Sequence, residues 1–230
     1  MAENKLLTLP EAMLLLALKD ETGERRGSFV EYAIAGAALA DLILKERLAE
    51  SAEKKGKLVL ARDEPTGDPY LDACFTLIGE IGFAKDPRVF VEKIATRRAL
   101  TDILHQDLIG RGILRKQTKK FLFFFTRTVY PEADPAAEAA LKAHLEEVMF
   151  GSGEVTPRDT ILVALMQETG LLRANFDRQA LKDHKDRIRT IASGNHLGAD
   201  IAIEAMQAVK MALIVATVIV PAVVVPATTT

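Results

Sequence analysis

A mainly α fold, a single globular helical domain with one protruding β-hairpin, is predicted by three features of this 230-residue sequence. Helix-start signals recur along the chain, each a Thr or Asp set just before a Pro or an apolar run. Residues 32–40 form an uncharged, Ala-rich stretch around Gly36, and small residues on every face imply a central, closely packed helix. A short segment near residue 120 has the pattern of two brief strands separated by a polar, cationic stretch.

Taken in order, Thr8 and Glu11 form a capping box with Pro10 in the first turn, opening a helix through Leu14, Leu15, Leu16 and Leu18 that Gly23 stops. The Ala-rich helix is predicted over residues 28–48. Residues 51–69 are polar and turn-rich around a short strand at Leu58-Val59-Leu60, and Pro65-Thr66-Gly67-Asp68-Pro69 is a turn signal. One helix follows over 71–81, and a long one over 87–108 is closed by Gly110 and Gly112. Ile113-Leu114 and the run 121–125 then read as strands flanking the loop Arg115-Lys116-Gln117-Thr118-Lys119-Lys120. Further helices are predicted over 135–150, over 157–169 with Asp159 in its first turn and Gly170 at its end, and over 178–192 and 199–220. Residues 1–5 are read as a short arm, 6–220 as the domain and 221–230 as a tail.

Composition narrows the function classes. Thirty Lys and Arg against 32 Asp and Glu give a net charge of -2, which excludes a whole-protein nucleic-acid binder relying on phosphate neutralisation. A lone Cys74 forms no intrachain disulfide, and the first residues lack a signal-peptide pattern, so a cytoplasmic setting is expected. The apolar run at 211–225, interrupted by Pro221, is shorter than the roughly 20 residues of a spanning helix and reads as a buried last helix.

Catalytic patterns are thin, and the chain is not expected to be an enzyme or to carry a cofactor or metal. His105, His144, His184 and His196 are scattered without metal-ligand spacing, which suits surface or capping roles. Cys74 in an apolar stretch reads as a buried, inert thiol. Asp68 and Asp72 form the one carboxylate pair worth weighing for acid/base work, and a turn and a helix first turn account for them.

Charge distribution is more informative. Residues 108–131 hold six cations, Arg111, Arg115, Lys116, Lys119, Lys120 and Arg127, and no acid, so the rest of the chain carries -8. These flank the apolar run Phe121-Leu122-Phe123-Phe124-Phe125. Each cation near an anionic leaflet is worth about 1 kcal/mol and each buried Phe about 1.5 to 3 kcal/mol. Membrane docking and a solvated strand edge fit this pattern equally.

Leu7-Thr8-Leu9-Pro10-Glu11-Ala12-Met13-Leu14-Leu15-Leu16-Ala17-Leu18-Lys19-Asp20, then Pro65-Thr66-Gly67-Asp68 with Leu71-Asp72, then Gly112-Ile113-Leu114 ahead of Phe121-Leu122-Phe123-Phe124, resemble the Golgi phosphoprotein 3 family in order and spacing. The resemblance implies a helical domain that binds phosphatidylinositol 4-phosphate at an anionic phospholipid membrane. It places Phe121, Leu122, Phe123 and Phe124 on a membrane-inserting hairpin, with Arg111, Arg115, Lys116, Lys119 and Lys120 supplying membrane electrostatics. The expected location is cytoplasmic and peripheral to membrane, at the Golgi in a eukaryote.

The family's lipid pocket, a Trp and an Arg near the second helix and an Arg-x-x-Arg pair in a later one, is kept at one position of four. The Trp position falls on Arg26 or Val30, the first Arg on Ala35, and the later pair on Arg98 and Thr101. Arg97, Arg26 and Arg25 are neighbouring cations suited to rebuilding an anion site with Arg98. With five residues before the opening motif, the family's Arg-rich arm is missing, and coatomer is not an expected partner. A homo-oligomer and membrane-protein client tails remain open as partners. The rival reading is a protein-protein adaptor or oligomeric scaffold using the same basic, apolar hairpin.

Overall fold

The computed structural model describes residues 6–19, 22–121, 125–197, 207–212 and 214, with the backbone alone at 121 and 125. Its centre is α1 (Leu9–Ala17), every residue of which is buried. A helix apolar on all sides has no face to offer solvent and must be enclosed by others. Its start is fixed by the expected capping box, in which Thr8 N–H donates to Glu11 Oε2 at 2.6 Å and Glu11 N–H donates to Thr8 Oγ1 at 3.4 Å. A second lock comes from α2 (Val30–Leu44), whose Asp41 Oδ2 accepts from Leu9 N–H at 2.6 Å.

The Ala-rich middle of α2 is buried and packs against α1, as its small residues require. The helix ends at Leu44, four residues before the predicted end. Arg47 N–H donates to Leu42 O at 2.8 Å and Glu46 N–H to Ile43 O at 2.8 Å, a Schellman closure with Glu46 at φ 57. A Glu in the left-handed position that Gly usually occupies hides this stop from sequence reading. The next residues form β1 (Leu48–Glu50), antiparallel to β2 (Leu58–Leu60) with Leu48 opposite Leu60.

The Pro65-Thr66-Gly67-Asp68 turn is bound to the helix it precedes, α3 (Pro69–Ile81). Asp68 Oδ1 accepts from Tyr70 N–H at 3.1 Å and Leu71 N–H at 3.0 Å, while Asp72 Oδ1 accepts from Thr66 N–H at 2.6 Å and Thr66 Oγ1 at 2.7 Å. Both carboxylates therefore hold a turn and a helix end. Cys74 on α3 is buried beside Tyr70, and burial pushes its thiol up to about 12, far from a thiolate at neutral pH.

The predicted long helix over 87–108 is two, α4 (Pro87–Ala95) and α5 (Arg98–Gly110). The break falls at Thr96, whose hydroxyl donates to Glu92 O at 2.7 Å, and at Arg97, which is extended at φ -90, ψ 92. Neither Gly nor Pro marks it. The hairpin differs in register from the predicted one. Pairing begins at a Leu114–Glu132 bridge and continues through β3 (Gln117–Phe121) and β4 (Phe125–Val129), from Gln117 opposite Val129 to Phe121 opposite Phe125. The predicted cationic loop is mostly strand, and the ladder leaves Leu122-Phe123-Phe124 as the connection, outside the described residues. Val129 is buried at the root while Thr126, Arg127 and Thr128 are exposed, so burial falls off along β4 away from the root.

The helices α6 (Ala136–Phe150) and α7 (Pro157–Thr169) start and stop as predicted, α7 with a Thr156–Asp159 capping box and Gly170 at φ 74. A short α8 (Leu171–Asn175) follows unpredicted. The predicted helix over 178–192 divides at His184 into α9 (Arg178–Asp183) and α10 (Lys185–Ser193). Of the predicted helix over 199–220, residues 207–212 are helical and Ala208, Val209, Met211 and Ala212 are buried. Among the described residues, no helix is long and apolar enough to cross a membrane.

Glu11 also reaches the far end of α5. Its Oε1 accepts from Arg111 Nη1 at 2.7 Å, and Arg111 lies 3.6 Å from Asp107. Burial first, and the Asp107 side chain second, raise the Glu11 carboxyl above its ordinary value. Replacing Glu11 by Ala removes the cap and the shorter of the Arg111 ion pairs, and the expected loss is about 3 kcal/mol of unfolding free energy in urea titration.

Candidate anion cleft at the root of the hairpin

Three chain segments meet beside the hairpin root: the loop between α1 and α2, the start of α5, and β4. The loop is brought against the end of β4 at Gly23, whose carbonyl accepts from Tyr130 N–H at 3.3 Å. Gly23 sits at φ 62, and a Cβ there would lie 2.2 Å from Pro131 N and 2.3 Å from Tyr130 C. Only glycine satisfies both the backbone conformation and the close approach.

The result is a cleft of ≈ 530 Å³ whose wall includes Gly23, Arg25 and Glu31 from the loop and α2. Thr96, Arg98, Thr101 and His105 come from the α4–α5 side, and Thr126, Arg127 and Thr128 from β4. Both helices that open onto it, α2 and α5, lack a capping side chain, whereas α1, α3, α4 and α7 are capped by Thr8, Asp68, Asp86 and Thr156. Positive helix ends and three arginines thus converge on one concavity. Asp102 and Glu31 are its acids, and Arg25 pairs with Glu31. Burial, reinforced by the repulsion from Arg127, moves the Arg25 guanidinium below its ordinary value.

His105 is 3% exposed, which corrects the surface role expected for it. Its ring stacks on Tyr130 at 3.8 Å between centroids. Nδ1 lies 2.7 Å from Thr101 O, an atom that can only accept, so Nδ1 carries the proton. Burial above all, with Arg25 nearby, lowers its pKa to about 4, so the ring is neutral at physiological pH. The other histidines lie apart: His144 beside Asp159 at 2.7 Å, His184 against Ala180 O and His196 against Thr160.

Of the four arginines singled out from sequence, Arg25 and Arg98 line the cleft. Arg26 is turned the other way, donating to Leu18 O at 2.6 Å and Ala174 O at 3.1 Å and lying 4.0 Å from buried Glu138. Arg97 is exposed at the start of α5 and is not part of the wall. Glu31, Arg127, His105 and Tyr130 join the site only through the fold. Their sequence separation gives no spacing to read, although Arg127 already belonged to the acid-free basic segment.

The hairpin cations divide in the same way. Arg115, Lys116 and Lys120 are exposed, while Lys119 is half-buried and donates to Thr22 O at 3.3 Å. Arg111 is committed to Glu11 and stands at the base, which removes it from the exposed basic set. Phe121 ends β3, and Leu122, Phe123 and Phe124 lie outside the described residues. A trio of carboxylates, Glu11, Asp68 and Asp107, has ligand atoms within 4.8 Å of one another. The Arg111 guanidinium lies within ion-pair distance of two of the three, Glu11 and Asp107.

The chain matches the family model described as Golgi phosphoprotein 3 (GPP34) over residues 9–210. The chain belongs to the Golgi phosphoprotein 3 family. Among its relatives, a VPS74-like protein of Dictyostelium discoideum is 26% identical over 160 residues, covering 63% of this chain and 61% of the relative. Vacuolar protein sorting-associated protein 74 of Schizosaccharomyces pombe is 27% identical over 163 residues, covering 62% of this chain and 48% of that protein. The matches therefore span less than two thirds of either relative's length. The family segment runs from the first residue of α1 into the last described helical stretch and includes the whole cleft.

Two outcomes test this geometry. Replacing Gly23 by Ala should cost at least about 2 kcal/mol of stability, read by chemical denaturation, because strain and a backbone clash add. The buried neutral His105 contributes stability that is complete above the unfolded imidazole pKa of about 6.5 and is lost as pH falls toward its folded value of about 4. Unfolding free energies of the wild type from urea titration should therefore fall relative to His105→Gln across that window, by up to about 3 kcal/mol.

Proposed function

We propose that this protein is a peripheral membrane protein that binds a phosphorylated anionic phospholipid, phosphatidylinositol 4-phosphate or a similar lipid. The cleft takes the headgroup, and the Leu122-Phe123-Phe124 connection enters the bilayer. The observation that carries this reading is that β4 is at once a wall of the arginine cleft and one strand of the apolar-tipped hairpin. A headgroup held between Arg98, Arg127 and Arg25 is then anchored to the same element that meets the acyl region, so the two contacts add without a second ordering cost. Arg98 suits the phosphate because it stands at the first turn of uncapped α5, where guanidinium and helix end favour the same anion.

Exposed Arg115, Lys116 and Lys120 contribute a longer-range attraction of about 1 kcal/mol each toward an anionic leaflet, screened by salt. Burying two of the tip's apolar side chains contributes about 3 to 6 kcal/mol before ordering costs. The two contributions are comparable, and the membrane contact depends on both.

Liposome flotation tests the reading. Arg98→Ala should weaken binding to phosphatidylcholine vesicles carrying phosphatidylinositol 4-phosphate about tenfold, with a smaller loss on phosphatidylserine vesicles. Phe123→Ser should abolish salt-resistant binding to both while the thermal midpoint holds. Equal losses for Arg98→Ala on the two vesicle types would reduce the cleft to a general basic surface. No loss for Phe123→Ser would remove the bilayer from the account and favour the adaptor reading.

A further inference from the structure

The cleft already contains an anion of its own. Glu31 stands in the first turn of α2, lines the cleft and pairs with the Arg25 guanidinium. The pair is not a surface accident of two mobile chains, because Arg25 is held in the loop by the Leu18–Arg25 bridge and is the less exposed partner, at 28% against 41% for Glu31. A guanidinium fork presents its bidentate edge to one planar oxyanion at a time, and a carboxylate fills that edge as a phosphate would.

We propose that Glu31 is a built-in competitor that closes Arg25 in the free protein and sets how tightly a phosphate must bind to open it. The inference rests on the cleft being the headgroup site proposed above. An incoming ligand must displace a carboxylate bearing one negative charge from Arg25. A phosphomonoester carries about -1.5 to -2 at pH 7 and out-competes it, helped by Arg98, Arg127 and the uncapped ends of α2 and α5. A phosphodiester headgroup carries a single charge on its phosphate, offers no advantage over the resident carboxylate, and is turned away. Glu31 thus weakens both ligands by the same factor, a penalty on the open state that leaves the weaker diester unbound and the stronger monoester bound. Displaced Glu31 stays in the cleft wall, which Asp102 also lines, and both carboxylates can accept hydrogen bonds from hydroxyls neighbouring the phosphate.

Glu31→Gln keeps the shape and removes the charge, and Glu31→Ala removes the side chain should the amide retain the Arg25 contact. Binding is measured on phosphatidylcholine vesicles carrying either phosphatidylserine or phosphatidylinositol 4-phosphate. Both variants should strengthen binding to both vesicle types about fivefold, the worth of a half-exposed ion pair. Titration with soluble glycerol 3-phosphate separates headgroup from bilayer: the variants should tighten it as well, and a change confined to vesicles would overturn the competitor role. Arg98→Ala is read alongside. If Arg98→Ala lowers monoester binding while neither Glu31 variant strengthens binding, the competitor role fails and the cleft stands. If Arg98→Ala leaves monoester binding untouched, the cleft and the competitor fail together.

Discussion

The buried carboxylate of Glu11 is the constraint on which the rest of the arrangement depends. One oxygen closes the capping box of α1 and the other binds Arg111, which follows the last turn of α5. A helix buried on every side and the segment that launches the hairpin are thereby fixed to one group. A charge this deep is tolerated only because both of its oxygens are occupied, one by a backbone N–H and one by a guanidinium. Its raised pKa shows that burial outweighs those partners without cancelling them.

From that anchor the site follows by short steps. Arg111 holds the end of α5, Ile113 and Leu114 bury at the hairpin root, and the Leu114–Glu132 bridge sets the register of β3 and β4. Gly23 lets the α1–α2 loop close against the end of β4, which places Arg25 opposite Arg98 and Arg127. Burial, with a smaller repulsion from Arg127, lowers the pKa of Arg25, and neutral His105 adds no further charge to the cleft. The concavity is therefore held poised for an anion, with Glu31 as its resident counter-charge.

Much of the helical plan was legible because its stops and starts use side chains with one dominant purpose. Thr8 with Glu11, Asp68 before Pro69, and Thr156 with Asp159 all cap as their sequence contexts indicate. The errors fall where backbone geometry acts without its usual residue. Glu46 takes a left-handed conformation that normally signals itself as Gly, and the α4–α5 break at Thr96 and Arg97 carries neither Gly nor Pro. In the hairpin, local polarity pointed to a cationic turn. The ladder begun at its root instead carries Lys119 and Lys120 into a strand.

The sequence by itself determined the family, the mainly α architecture, the central place of the two apolar helices and the concentration of charge around residues 111–127. Each of these depends on interactions between residues a few positions apart or on the summed character of a segment. Only the tertiary structure decided which cations share a site. Arg25 and Arg26 are adjacent in sequence, yet one enters the cleft and the other binds Leu18 O and Ala174 O. Arg98 and Arg127 are brought together across 29 positions by the turn of the chain at the hairpin. Charge type is written in the residue, but the direction a side chain takes is set by the packing around it, and that packing comes from distant parts of the chain.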